Sequence, residues 1–122
     1  IGFVGDSGTA FTFTNNHAGF KITRTASGTI SLFASQGNGT TETASAALIT
    51  VANADSLDLV LKVNGATSID YYYRQNSGAQ SSATNLATNL PTAAIGGIYN
   101  SINNKATATQ NVFRIYGSSY EK

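Results

Sequence analysis

The sequence predicts a single all-β domain over residues 1–122, folded as an antiparallel β-sandwich. Short segments alternate apolar and polar residues with a period of two, which is typical of half-buried strands. Turn-forming residues separate these segments at intervals of about ten residues. Ser, Thr and Asn make up about a third of the chain, and they suit sheet surfaces and turns better than helix interiors. Hydrophobic residues make up 41%, which is enough for one core.

The clearest predicted element is a β-hairpin in the middle of the chain. In residues 57–63 the odd positions are Leu or Val, while Asp58 and Lys62 lie on the opposite face, so one face is expected to be buried. Asn64-Gly65 follows directly, and both residue types tolerate the positive φ of a tight turn. A return strand is expected over 67–74. Its residues form two faces, one with Ile69, Tyr71 and Tyr73 and the other with Asp70, Tyr72 and Arg74.

The same reasoning predicts the remaining elements. Alternation predicts strands at 10–14, 19–25, 29–34, 46–51, 97–99 and 111–116. Loops are expected at 35–43, 52–56 and 100–108, where Gly or small polar residues dominate. Residues 80–90 place Ala83, Leu86 and Leu90 at helical spacing. The Asn and Thr residues around Leu86 favour a single turn or a loop there instead of a helix.

Composition narrows the possible functions. The chain has no Cys, so it can form no disulfide, zinc–thiolate site or thiol nucleophile. A formal net charge of +1 creates no field that would attract nucleic acid or an anionic membrane, and no apolar run approaches membrane-spanning length. We therefore expect no nucleic-acid partner and no membrane partner. Since Met is absent, we expect a processed or excised chain, with residues 1–9 as an arm or linker.

One short motif suggests serine-protease chemistry. Gly5-Asp6-Ser7-Gly8 matches the surroundings of a protease nucleophile, but a triad also needs a His that is oriented by a carboxylate. The chain contains one His, His17, ten residues after Ser7. Because all four residues of the motif are common in turns, we interpret it as a turn. His17 is expected at a turn or at the end of a strand.

Carboxylate pairs offer a second catalytic possibility. A glycosidase needs two carboxylates at a fixed separation in a cleft, and the predicted hairpin places Asp58 and Asp70 on one face. We interpret both as solvated strand residues with Lys62 and Arg74 nearby. A small hydrolase remains a hypothesis only if both acids line a cleft. No segment has the spacing of a calcium loop, and we expect no catalytic residues, no metal site and no cofactor.

Tyr71-Tyr72-Tyr73-Arg74 is the most distinctive run. Alternation places Tyr72 on the face opposite to Tyr71 and Tyr73, so Tyr72 is predicted to point outward. An exposed Tyr beside Arg, Asn and Gln can stack on a sugar ring while the polar groups bond its hydroxyls. The candidate ligand-binding residues are Tyr72, Arg74, Asp70, Asn76 and Gln75. The alternative is that the same residues pack against a neighbouring subunit.

The order of the segments resembles a known family. The segments that carry the resemblance are residues 20–25 and 27–32, 57–65 followed by 69–73, 94–99 with Ile95-Gly96-Gly97, and 112–116 with Arg114-Ile115-Tyr116. In this order they resemble laminin-G-like domains, which belong to the concanavalin A-like jelly rolls. The resemblance implies a jelly-roll β-sandwich that acts as a binding module.

A second resemblance concerns the setting of the domain. Residues 1–9 and 89–92 are similar to segments of bacteriophage tail-fibre and other virion proteins, where jelly rolls serve as receptor-binding tips or capsid decorations, commonly as trimers. This similarity implies a virion or extracellular surface. The first hypothesis is a non-catalytic module that binds a cell-surface glycan or another receptor. The second is a structural, homo-oligomeric virion subunit, either a decoration or a fibre domain, that contacts other copies or other virion subunits.

Overall fold

The computed structural model describes residues 2–4, 12–92 and 97–99 of the chain. These ranges contain nine β-strands and no helix. The strands are β1 (Gly2–Val4), β2 (His17–Arg24), β3 (Ile30–Gly37), β4 (Glu42–Ala44), β5 (Ile49–Val51), β6 (Leu57–Asn64), β7 (Ser68–Gln75), β8 (Thr84–Leu86) and β9 (Gly97–Tyr99). Four of them, β2, β3, β6 and β7, have eight residues each and form the body of the two sheets.

The strands form two antiparallel sheets. The large sheet has the order β4-β3-β2-β1-β9, and β5 pairs with β3 along the same edge as β4. The small sheet has the order β6-β7-β8. Within the described ranges neither sheet closes into a barrel. The predicted all-β antiparallel sandwich is therefore confirmed.

The core lies between the two sheets. Its six buried hydrophobic residues are Ala18, Phe20, Leu32, Ala34, Ile69 and Tyr71. The first four alternate along β2 and β3, and the last two come from β7, as expected for strands with one buried face. The Phe20 and Tyr71 rings meet edge to face with centroids 5.4 Å apart, an arrangement that adds a specific attraction to burial. Full burial of a side chain such as Leu32 contributes about 1.5–3 kcal/mol.

Polar groups are part of this core. Gln36 and Ser35 are 0% and 1% exposed. The Tyr71 hydroxyl donates to Oε1 of Gln36 (3.0 Å) and to the Ser35 carbonyl (3.3 Å), and Nε2 of Gln36 donates to the Thr88 carbonyl (2.6 Å). These hydrogen bonds connect the small sheet, the large sheet and the segment after β8, and they satisfy groups that would be costly to bury alone.

The predicted hairpin is confirmed, with one correction at its turn. β6 and β7 pair in continuous register from Leu57↔Gln75 to Asn64↔Ser68. Asn64 is the last strand residue and does not have positive φ; the loop consists of residues 65–67, with Gly65 at φ 59°. The Thr67 amide donates to the Asn64 carbonyl. A three-residue loop of this kind needs only one left-handed residue, so Gly65 alone supplies it.

Other predicted strands and loops are confirmed, some of them with different boundaries. The strands predicted at 19–25 and 29–34 correspond to β2 and β3, and the strand predicted at 97–99 is β9. The loop predicted at 52–56 is confirmed as a connection. The strand at 46–51 is confirmed only over Ile49–Val51.

Three predictions were wrong. The loop predicted at 35–43 is limited to 38–41, because Ser35–Gly37 continues β3 and pairs with Glu42–Ala44 of β4. Residues 12–14 of the predicted 10–14 strand form a turn, closed by the Asn15 amide on the Thr12 carbonyl. The turn or loop predicted at 80–90 contains β8, which pairs with β7 through Ile69↔Leu86. The strand predicted at 111–116, the loop at 100–108 and most of the arm at 1–9 lie outside the described residues.

Candidate functional site

Strand β7 separates the three consecutive tyrosines onto two faces. Tyr71 is fully buried and Tyr73 is half-buried, both on the core side, where the Tyr73 hydroxyl donates to the Leu48 carbonyl (3.4 Å). Burial raises the pKa of the Tyr71 hydroxyl well above its usual range, so this group stays a neutral hydrogen-bond donor. Tyr72 is half-buried on the outer face of the small sheet. The prediction that Tyr72 points away from the core is confirmed.

A shallow depression surrounds Tyr72 on this outer face. The register places Val60 opposite Tyr72 and Asp58 opposite Arg74. The depression has a volume of about 130 Å³ and is lined by Asp58, Val60, Tyr72, Tyr73, Arg74 and Gln80. It therefore combines an aromatic side chain, an exposed aliphatic side chain, one side chain of each charge and one amide. We refer to it as the Tyr72 depression.

The charged residues of the Tyr72 depression are not neutralised by each other. The ion pair in the described part of the chain is Lys21–Glu42, on the other sheet. Asp58 and Arg74 face one another in the register but form no ion pair there, and both are exposed. Their charged groups are thus available to hydrogen-bond a ligand with several hydroxyls.

Asp70 belongs to a separate cluster on the same face. Its Oδ1 accepts a hydrogen bond from Nδ2 of Asn85 (2.6 Å) and its Oδ2 accepts one from Nδ2 of Asn64 (2.8 Å). These two bonds, with a smaller contribution from the charge of Lys62, hold the pKa of the Asp70 carboxyl below its usual value. Asp70 is thus a bound carboxylate that ties the three strands of the small sheet together, and it does not line the depression.

Gln75 and Asn76 also lie apart from the depression. Nε2 of Gln75 donates to Oδ2 of Asp55 (2.6 Å), and Nδ2 of Asn76 donates to Oδ1 of Asp55 (2.7 Å). The Ser56 amide donates to Oδ1 of Asn76 (2.9 Å). These bonds close the end of the hairpin against the 52–56 connection. Of the five predicted ligand-binding residues, the structure brings only Tyr72 and Arg74 together.

The structure adds four residues that the candidate set lacked, Asp58, Val60, Tyr73 and Gln80. Val60 is 48% exposed, although a valine in the middle of a strand suggests burial. Its even number in an alternating strand places it with Asp58, so the pairing across the hairpin could have identified it. Gln80 lies in the connection from β7 to β8, and no sequence pattern predicts its return to the sheet face.

A second polar cluster lies on the outer face of the large sheet. Nε2 of His17 is 2.9 Å from Oγ of Ser35, and the Ser35 hydroxyl donates to Oε1 of Glu42 (2.7 Å). The same Oε1 accepts from Nζ of Lys21 (2.6 Å), and Nζ also lies 4.7 Å from the Phe13 ring centroid. His17 is at the start of β2, as predicted. The cluster was missed because Ser35 and Glu42 were assigned to a loop.

The protonation of His17 follows from its surroundings. Burial lowers the pKa of the imidazole below 6.5, against weaker opposing effects of the Asn15 carbonyl and Glu42. Nδ1 is 2.8 Å from the Asn15 carbonyl, which can only accept, so Nδ1 carries a proton in the neutral ring. Nε2 of the neutral ring is then an acceptor, and it competes with Glu42 for the single proton of the Ser35 hydroxyl. His17 and Ser35 are 4% and 1% exposed. The His17–Ser35 contact is therefore enclosed within the protein.

The described part of the chain contains no cluster suited to a metal ion. No three His, Cys, Asp or Glu side chains come together there as a metal site would require. Over the same residues no helix is long and apolar enough to cross a membrane. Gly5-Asp6-Ser7-Gly8 lies outside the described residues.

Comparisons with protein-family models, with curated proteins and with solved structures find no match to this chain. The class of protein is therefore defined by its fold and surface. It is an all-β sandwich domain with a shallow, partly aromatic depression on one outer sheet face.

Proposed function

We propose that this chain is a non-catalytic binding module that recognises carbohydrate through the Tyr72 depression. The observation that carries the proposal is the grouping of a half-buried Tyr with Asp58, Arg74 and Gln80 around a hollow of about 130 Å³. Enclosed sites for drug-sized ligands occupy about 300–1,000 Å³. The depression is smaller and more open, which suits one ring of a longer glycan whose remainder stays in solvent.

The chemistry of the depression suits a neutral sugar. Tyr72 and Val60 offer an apolar surface to the C–H face of a sugar ring. The Asp58 carboxylate accepts from sugar hydroxyls, while the Arg74 guanidinium and the Gln80 amide donate to them. Since one acid and one base line the hollow, no excess positive charge is present that would favour an acidic sugar.

Two observations support binding without catalysis. Asp58 lines the depression and Asp70 does not, so the described residues provide no pair of carboxylates across one sugar ring there. A general acid also needs a raised pKa, whereas hydrogen bonds from Asn85 and Asn64 lower the pKa of Asp70. The hydrolase hypothesis required Asp70 as the second carboxylate of a cleft, and Asp70 lies outside the depression.

The proposed setting is a phage fibre or another virion or extracellular surface. It is supported by the two-sheet antiparallel fold, which is compatible with a β-sandwich, and by the composition rich in Ser, Thr, Asn and Gly. The proposed partners are a cell-surface glycan or another receptor. We expect no nucleic acid and no membrane as partners, because the net charge is +1.

A glycan array, followed by titration of the best ligand, tests this proposal. Tyr72→Ala should weaken binding by about tenfold, or about 1.4 kcal/mol, because the aromatic surface that contacts the sugar ring is lost. Tyr72→Phe keeps the ring and should bind nearly as well as the wild type. Arg74→Ala should weaken binding, while Arg24→Ala, which removes the same charge from an exposed site on the large sheet, should not. An array without any binder, or equal losses for both arginine variants, would contradict the proposal.

The second candidate is a structural, homo-oligomeric virion subunit without a ligand, such as a capsid decoration or a fibre domain. It is favoured by strand β6, which forms one edge of the small sheet in the described part of the chain and carries two of its exposed large hydrophobic residues, Val60 and Val63. Edge strands with exposed backbone groups are ready sites for pairing with another chain. Sedimentation of the chain at high concentration separates the candidates, since a monomer excludes assembly.

A further inference from the structure

Among the described residues, the side of β6 that faces away from β7 has features of a self-pairing edge. The strand spans Leu57–Asn64 and contains neither Pro nor Gly. Along its paired side it meets β7 over its full length; on its other side it meets no strand among the described residues. Natural edge strands are usually short, bulged, interrupted by Pro or protected by charged side chains; of these devices β6 has only the charges, Asp58 and Lys62. An eight-residue regular edge is a surface on which a second strand can add.

The residues of β6 are complementary to themselves in one antiparallel register. If Val60 of one copy lies opposite Val60 of a second, Asp58 lies opposite Lys62 of the second copy, and Lys62 opposite Asp58. On the core side, Leu57 then lies opposite Val63, and Leu59 opposite Leu61. Every pair in this register is either apolar with apolar or acid with base, which are the favourable cross-strand pairs.

Other registers lose this match. A shift of one residue places the core-side leucines opposite outward-facing charges. A shift of two residues keeps the faces but places Asp58 opposite Val60 or Asn64. The register centred on Val60 is therefore selected by charge and by apolar contact together, and it overlaps residues 57–63 completely.

The charges are available for this pairing. Within the hairpin, Asp58 faces Arg74 and Lys62 faces Asp70, but neither forms an ion pair in the described part of the chain, where Lys21–Glu42 is the salt bridge. Asp70 is occupied by the two Asn amides. Val60 and Val63 are exposed, and a strand from a second copy beside β6 would give both of them apolar partners.

We propose that two copies of this chain pair antiparallel through their β6 strands, about a two-fold axis at Val60, into one continuous sheet β8-β7-β6-β6-β7-β8. Such an interface is isologous, so each contact occurs twice. Both outer faces lie on the same side of the joined sheet. The two Tyr72 side chains then lie about 14 Å apart, three strand spacings. The inference gives the assembly candidate a specific interface and does not depend on carbohydrate binding.

A charge-reversal experiment tests the register. In the Asp58→Lys chain both interface pairs become Lys–Lys, and in the Lys62→Asp chain both become Asp–Asp. Each variant alone should dimerise about tenfold more weakly or worse than the wild type, since two attractive pairs become repulsive. Mixed 1:1, the variants restore two Lys–Asp pairs, and native mass spectrometry should show the heterodimer as the main dimer. The surroundings of positions 58 and 62 within one chain do not change when the two variants are mixed. Recovery of dimerisation on mixing therefore reports on the interface between chains.

A cysteine pair gives a second measurement that does not change charge. The chain has no Cys, so Val60→Cys introduces one thiol directly opposite its copy, where paired Cα atoms lie about 4.5–5.5 Å apart, within reach of a disulfide. With oxidised glutathione it should form a covalent dimer. Val63→Cys is the matched control, because Val63 is equally exposed but lies opposite Leu57 of the second copy, and it should stay largely uncoupled.

The possible outcomes separate the proposals. A wild-type chain that is monomeric at high concentration overturns both this interface and the assembly candidate, and leaves the carbohydrate proposal standing. A dimer that is insensitive to the charge reversals, does not recover on mixing and couples equally at both cysteines overturns this interface, and leaves assembly through another surface. Selective heterodimers with coupling at position 60 confirm the interface.

Discussion

At the residue scale, the contrast between Tyr71 and Tyr72 shows how one strand serves two purposes. Neighbouring residues of the same type lie on opposite faces, so one hydroxyl is buried against Gln36 and the other ring borders the outer depression. The alternation rule assigned both faces correctly from sequence. It could not reveal the partner of the Tyr71 hydroxyl, because Gln36 lies 35 residues earlier in a segment that composition assigned to a loop.

Removal of the buried hydroxyl should destabilise the fold. Tyr71→Phe leaves Oε1 of Gln36 without its donor in a fully buried position, which costs about 1–3 kcal/mol. Urea denaturation measures the loss in the free energy of unfolding. Tyr72→Phe is the matched control, and it should change that free energy by less than about 0.5 kcal/mol because the hydroxyl is on the surface. Equal effects of the two variants would contradict the assigned faces.

His17 should make stability depend on pH in a defined window. Burial lowers its pKa below 6.5 in the folded chain, so the unfolded chain binds the proton more readily. The stabilising contribution of neutral His17 is complete above pH 6.5 and is lost as the pH falls from that value towards the folded pKa. Asp55 and Asp70 also have lowered pKa values, but they change the free energy of unfolding only near and below pH 3.8. The pH range of His17 is therefore separate from that of the two carboxylates.

Urea midpoints measured between about pH 5 and pH 8 test this dependence. The wild type should become less stable towards pH 5, and His17→Gln should show a flatter profile over the same range. If the two profiles keep the same slope, His17 is not the titrating group.

At the element scale, the long strands were predictable, whereas two of the short ones, β4 and β8, were not. β2, β3, β6 and β7 carry the period-two alternation and were found with ends misplaced by a few residues. β4 and β8 have three residues each, too few for a period to appear. They exist because β3 and β7 offer partners: Leu86, for example, is held by its place opposite Ile69.

The polar end of β3 explains the largest error. Ser35, Gln36 and Gly37 have the composition of a loop, yet all three are buried in a strand. Gly37 is required by the close approach of the Asn15 carbonyl, which would lie 2.5 Å from an added Cβ. Gln36 is stabilised by Tyr71 and Thr88. Each reason is a long-range contact, which local composition does not encode.

The β6–β7 loop gives a direct test at this scale. Gly65 has φ 59° and open space around its Cβ position, so Gly65→Ala should cost only the backbone strain, about 1–2 kcal/mol. Gly65→Asn should cost less, because Asn tolerates the left-handed region better. Thermal unfolding measures both. Equal stability of Gly65→Ala and the wild type would show that the loop has another conformation.

At the scale of the whole molecule, the two faces of the small sheet have different roles, one in stability and the other in the proposed recognition. The core side of the small sheet packs on the large sheet, while its outer side presents the Tyr72 depression beside the β6 edge. Asp55 and Asp70 hold the ends of the hairpin through Asn and Gln side chains. This is why three of the five predicted ligand-binding residues, Asp70, Gln75 and Asn76, are engaged in bonds within the chain.

The sequence could predict the face of the candidate site but not its outline. Alternation selects Tyr72, Arg74 and Asp70 together, because they share one face of β7. Only the pairing with β6 and the path of the β7–β8 connection decide that Val60 and Gln80 join Tyr72 while Asp70 does not. Those contacts depend on loop geometry and on register, which no local pattern specifies.

Chemical-shift mapping of the ¹⁵N-labelled chain during titration with its best array ligand tests the central claim most directly. The account predicts saturable shifts centred on the amides of Asp58, Val60, Tyr72, Arg74 and Gln80, which line the depression. The large-sheet cluster around His17 should remain unshifted. Shifts centred on the large sheet, or no saturable shifts with any glycan, would contradict recognition of carbohydrate at the Tyr72 depression.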